Sequence, residues 1–145
     1  MNSALYQTDF YAWTQQQATL LKTGQLAESD HLHIADEIED MGKSLKRELE
    51  SRLKILLIHL LKWQYQPGYR GNSWRYSIEE QRAELADHLQ DNPSLKQHLP
   101  EALQRSYRYA LCGAAKETGL AKSIFPEHCP WSFAQAIDPD FFPET

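Results

Sequence analysis

Three features of this 145-residue chain predict an all-α fold. Apolar residues recur in steps of three and four from Ile34 to Trp63. Nothing alternates with the period of a strand, and capping residues or helix breakers stand at the ends of each periodic stretch. The predicted architecture is one helical domain over residues 1–145: a bundle of about four main helices, the second long, closed by a short helix and an ordered tail. Apolar residues at 41% and charged residues at 24% suit one folded core, and exclude a disordered or collagen-like chain.

The first helix is capped by Thr8 or Asp9, turns Phe10, Trp13, Ala18 and Leu21 inward, and stops at Gly24. A second opens near Ser29 or Asp30. Its stripe of Ile34, Ile38, Met41, Leu45, Leu49, Leu53, Leu56, Leu60 and Trp63 keeps phase through Gly42, which predicts one long helix. At residues 30–66 it would run roughly 55 Å, more than the width of a compact domain of this size. It therefore either bends at Gly42 or lays its overhang on another copy, and a homodimer is expected. Glycine there would also let a neighbour approach closely.

Pro67 and Gly68 stop that helix, and Gly71-Asn72-Ser73 extends the loop. Ser77-Ile78-Glu79-Glu80 reads as a capping box that starts a helix through Leu85 and Leu89. Asn92 caps the next helix with Pro93 at its first position, Pro100 interrupts that run at Leu99, and Glu101 restarts it. The last long helix holds Leu103, Tyr107, Ala110, Leu111 and Ala114 inward and ends at Gly119. Ser132-Phe133-Ala134-Gln135 is a second capping box, followed by an apolar tail at Phe141-Phe142-Pro143 that packs back on the body.

The formal charge of −5 argues against wholesale nucleic-acid wrapping, but it conceals a segregation. Residues 1–42 carry a single base, Lys22, against seven acids; residues 43–82 carry nine bases against four acids; the remainder is again acidic. The most apolar run, residues 55–61, is far short of the ~18 residues that span a bilayer. The chain starts without a basic and apolar leader. No membrane association is expected. Two cysteines, Cys112 and Cys129, do not make a disulfide framework, so a reduced cytoplasmic setting is expected.

The order of certain segments resembles a known family. These are Asp9-Phe10-Tyr11-Ala12-Trp13, Glu37-Ile38-Glu39-Asp40-Met41-Gly42, and His59-Leu60-Leu61-Lys62-Trp63 with Ser73-Trp74-Arg75. Phe125-Pro126-Glu127-His128-Cys129-Pro130 and the Asp138-Pro139-Asp140-Phe141-Phe142-Pro143 tail complete the set. Together they look like the bacterial, largely cyanobacterial family called domain of unknown function twenty-nine, over about residues 5–144. The resemblance implies an all-helical fold and a stand-alone bacterial protein. It implies no reaction and no ligand residues.

Two groups could carry chemistry. Arg52 and His59 lie two turns apart beside the apolar stripe. A buried arginine needs a carboxylate partner, and Glu37 and Asp40, or acids from other helices, are the available counter-charges, so Glu37, Asp40, Arg52 and His59 read first as a structural polar network. The alternative is a ribonuclease of the HEPN type, whose Arg and His signature the spacing resembles, with His59 moving protons and Arg52 steadying the phosphorane. The second group is the segment from Lys62 to Tyr76, rich in aromatic and basic residues and without an acid. Trp63, Tyr65, Tyr69, Arg70, Trp74 and Arg75 could bind a protein or stack single-stranded nucleobases while neutralising phosphate. The same composition builds a loop pinned to the core.

No cofactor or metal is expected. The carboxylate-to-histidine spacings at Glu28–His31 and Asp30–His33 overlap at one helix start, and no two-cysteine metal motif exists. A thiolate at Cys129 beside His128 is the lesser reading of a cysteine in a turn. The sequence as a whole reads as a non-enzymatic binding or regulatory protein, with a protein partner or self-association.

Overall fold

The computed structural model describes residues 3–144, and among these there is no strand. The main helices are α1 (Ser3–Thr8), α2 (Phe10–Lys22), α3 (His31–Tyr65), α4 (Asn72–Asp91), α5 (Leu99–Thr118) and α6 (Phe133–Ile137). Short 3₁₀ turns at Leu26–Glu28, Pro67–Tyr69, Pro93–His98 and Lys122–Ile124 join them. The fold is all-α. Two compact units follow one another along the chain, Met1–Leu45 and Lys46–Thr145.

In the first unit Asp9 caps α2, its carboxylate accepting from the Ala12 amide at 3.1 Å. Gly24 follows the helix with φ +76°, a left-handed conformation that glycine adopts without steric cost. The buried side chains of α2 are Trp13 and Gln17, four apart on one face. Phe10 and Leu21, read as inward, are 47% and 43% exposed, and Ala18 is also exposed. The reason is a polar clasp that aims the helix. The Trp13 indole donates to Asp30 at 3.2 Å, and Gln17 accepts the Asp30 amide at 2.7 Å.

Helix α3 is continuous through Gly42, as the unbroken phase predicts. Among the described residues nothing approaches that glycine closely, since an added Cβ would meet nothing within 4 Å. The close approach is at Gly113 of α5 instead, where a Cβ would lie 2.6 Å from Ile58 Cδ1 of α3.

The second unit is a helical bundle around the later turns of α3. Leu49, Leu53, Leu56, Leu57, Leu60 and Leu61 are fully buried, a wider face than the predicted stripe. They meet Ile78 and Leu85 of α4 and Leu103, Tyr107, Ala110 and Ala114 of α5 in one apolar cluster. Each fully buried leucine contributes about 1.5–3 kcal/mol by leaving water. Helix α4 begins five residues before the predicted capping box. Gly71 is its N-cap, so Ser77 lies inside the helix. Trp74 packs on the core at the same helical spacing as Ile78, which extends the apolar face backwards past the serine.

Two signals miss: the Asn92 side chain does not cap the 3₁₀ turn at Pro93–His98 but donates its amide to the His88 carbonyl, and α5 starts at Leu99 with Pro100 inside its first turn. The other signals place their elements as expected. Gly119 ends α5 in the left-handed conformation at φ +75°, and both hydrogen bonds of the Ser132 capping box are present. Phe141 and Phe142 fold back on the core, Phe142 with its ring centroid 4.8 Å from that of Trp63.

Candidate functional site

The aromatic and basic segment closes on itself. Trp63, at the end of α3, is buried. Arg70 and Arg75 each place a guanidinium 5.2 Å from its ring centroid. Arg70 is fixed by donating from Nε to the Trp63 carbonyl at 2.7 Å, and its Nη2 is buried without a hydrogen-bond partner. Lys62 sits over Trp74 at 4.7 Å and pairs with Glu117 at 3.0 Å. Tyr65 packs edge-on against Phe125. Tyr69 stands apart on the surface, 72% exposed. The structure thus brings Trp63, Arg70 and Arg75 together, and covers faces of both tryptophans with the protein's own cations.

Arg75 opens onto a cavity of about 440 Å³. One wall is a face of α4, with Arg75, Glu79 and Arg82 beside Ala83 and Ala86. The other is the C-terminal segment, with Ile137, Pro139 and Phe142. Arg82 is only 5% exposed. Its Nε donates to the Ala136 carbonyl at 2.8 Å and its Nη2 to the Phe141 carbonyl at 2.6 Å, which fixes the segment against α4. Burial lowers its pKa below that of a solvated guanidinium, and the charges of Asp138 and Asp140 oppose that shift. Arg82 and Arg75 lie 5.3 and 5.2 Å from the centroid of one ring, Phe142.

Sequence reasoning did not reach Arg82 or Phe142 as site residues. The signal for Arg82 is its register, because Ile78, Arg82, Leu85 and Leu89 step by four, three and four along one face of α4. Nothing local identifies its carbonyl partners, which lie 54 and 59 residues further on.

The four residues read as a polar network are not brought together. Glu37 accepts a hydrogen bond from the Tyr6 hydroxyl, and Asp40 is exposed. Arg52 pairs with Glu48 of its own helix at 3.2 Å and with Glu84 of α4 at 3.5 Å. Glu48 also meets His88 at 3.2 Å. The counter-charges are nearer in space because Glu37 lies fifteen residues, about four turns, from Arg52 along the helix. Half-buried His59 bonds through Nδ1 to the Ile55 carbonyl, one turn back.

The first unit holds its own polar cluster. Asp30 receives Trp13 Nε1 and His33 Nδ1, the latter at 2.7 Å, and His33 stacks on Tyr6 at 4.1 Å. Burial pushes the Asp30 carboxyl up, but these hydrogen bonds and the His33 charge together hold it below its ordinary value. The hydrogen bond to Glu37, with lesser help from burial and neighbouring acids, pushes the Tyr6 phenol up to about 12.

Among the described residues no three His, Cys, Asp or Glu side chains gather as metal ligands. Cys129 Sγ donates to the Trp131 carbonyl at 3.4 Å, and burial raises its pKa, the opposite of an activated thiolate. No described helix is long and apolar enough to cross a membrane.

No curated protein and no solved structure matches the chain. A family model does, over residues 5–142, and the chain therefore belongs to the family described as Domain of unknown function DUF29.

Proposed function

We propose that this is a non-enzymatic binding or regulatory protein of the cytoplasm that works through its helix and aromatic-loop surfaces. Its main surface is the early part of α3, and a second copy of the chain is the occupant. The observation that carries this reading is the exposure of Ile38 and Met41, at 59% and 60%, in phase with the buried leucines downstream. Amphipathic helices expose such a stripe where another helix covers it.

Charge selects the partner. Asp36, Glu39 and Asp40 precede the middle of the stripe, and Lys43 and Arg47 follow it. Two copies laid antiparallel set each acidic run beside the other's basic run, whereas a parallel pair sets like against like.

Light scattering across a concentration series tests this. A mass that rises to twice 16.8 kDa, and Met41→Glu returning it to the monomer, is the expected result. A charge swap sharpens the test. Asp36→Lys with Asp40→Lys, and separately Lys43→Glu with Arg47→Glu, should each weaken self-association, and mixing the two should restore a dimer. A wild-type chain that stays monomeric at the highest attainable concentration refutes the reading.

Nucleic-acid contact through the aromatic segment is the weaker alternative, because cations of the chain already lie against Trp63 and Trp74. The ribonuclease reading is weaker still. Glu48 and Glu84 flank Arg52 where a phosphodiester would have to approach.

A further inference from the structure

We propose that the cavity between α4 and the C-terminal segment binds a small monocarboxylate with an apolar body. Two guanidinium groups, Arg75 and Arg82, share the ring of Phe142 at 5.2 and 5.3 Å. Each is attracted by the ring quadrupole, but the two repel one another, and Arg82 is buried. Arg82 donates from Nε and Nη2 to backbone carbonyls, and among the described residues neither it nor Arg75 is in an ion pair with a carboxylate. Asp138 and Asp140 already act on Arg82 through space, and an anion in the cavity that both arginines line adds a direct partner for their guanidinium donors.

The rest of the lining defines the ligand. Ala83, Ala86, Ile137 and the Phe142 ring present hydrocarbon, which suits an aliphatic or aromatic body. A volume of about 440 Å³ falls in the range that encloses a small organic molecule. Glu79 also faces the cavity, and its fixed negative charge disfavours phosphates and other multiply charged anions. Arg82 is held by two backbone carbonyls, so its remaining donors are preorganised.

Calorimetric titration of the full chain tests the assignment. The probes are phenylacetate and octanoate, with phenylacetamide, octanamide and inorganic phosphate as controls. Saturable binding of at least one carboxylate is expected, with its amide at least about tenfold weaker and phosphate weaker still. Arg75→Gln removes an exposed cation while leaving the Trp63 and Phe142 rings in place, and should weaken carboxylate binding by about tenfold. Ala86→Trp fills the cavity and should abolish binding while the far-ultraviolet circular dichroism stays helical. Equal binding of acid and amide, binding that survives Ala86→Trp, or no binding of either carboxylate overturns the proposal.

Discussion

The two ends of helix α3 use the same residue types at the same spacing and meet opposite fates. Ile38 and Met41 are more than half exposed, while Leu49, Leu53 and Leu56 are fully buried. Periodicity therefore identifies which face of a helix is apolar, and says nothing of what covers that face. The difference arises from the neighbours. Leu53 and Leu56 belong to a cluster that draws on α4, α5 and the C-terminal aromatics, whereas the clasp of the first unit turns on Asp30, Trp13 and Gln17 at the start of α3.

The contrast is broken most directly by truncating one leucine and one methionine. Leu56→Ala should cost about 2–5 kcal/mol in urea denaturation, since it leaves a cavity in the core. Met41→Ala, measured on dilute protein, should stay within about 0.5 kcal/mol. Similar losses at the two sites would mean that the early stripe is buried after all.

Two glycines inside helices sharpen the same comparison on a smaller scale. Gly42→Ala should stabilise by about 1 kcal/mol, because the new methyl meets open space and alanine is the better helix former. Gly113→Ala gains the same propensity but drives a Cβ against Ile58, and overpacking costs about 1–3 kcal/mol. The second variant should be the less stable, and adding Ile58→Val, which removes the clashing Cδ1, should narrow the gap.

The polar clasp gives the first unit a distinctive pH response. The Asp30 carboxyl is held below its unfolded value, so its contribution is complete above the unfolded pKa of about 3.9. It is lost as pH falls through the lower folded value. Tyr6 acts at the other extreme. Its pKa is raised, so its contribution is complete below about 10 and is lost as pH rises through about 12. Thermal denaturation against pH should show both losses. Asp30→Asn should remove the acid one and Tyr6→Phe the alkaline one.

The smallest effect belongs to the Arg52 pairs, whose glutamates are 44% and 47% exposed. Glu84→Gln should change stability by no more than about 1 kcal/mol.

Much of the fold was legible because its signals are local. Asp9, Gly24, Gly119 and the Ser132–Gln135 box each determine the conformation of a few neighbouring residues. The start of α4 was not, since Ser-x-x-Glu is a cap only where the chain ahead of it leaves the helix, and Trp74 keeps it in. The candidate cavity was half legible. Arg75 was singled out by its aromatic neighbourhood, but Phe142 and the carbonyls that hold Arg82 come from the far end of the sequence. Arg52 shows the same limit in reverse. Its need for a counter-charge was evident, but Glu84 became its partner only through the docking of α4.

The span of the Arg82 contacts also bears on the order of assembly. Helices α3, α4 and α5 follow one another in the chain and can meet through short connections. Arg82 must capture carbonyls more than fifty residues away. Closing so long a loop is entropically slow, so the C-terminal segment should dock last, onto a bundle already formed. A folding intermediate with native helices but an unprotected segment 136–142 would then lack the cavity wall. Any ligand of that cavity would act as a latch on the final step, slowing the segment's release far more than the melting of the bundle beneath it.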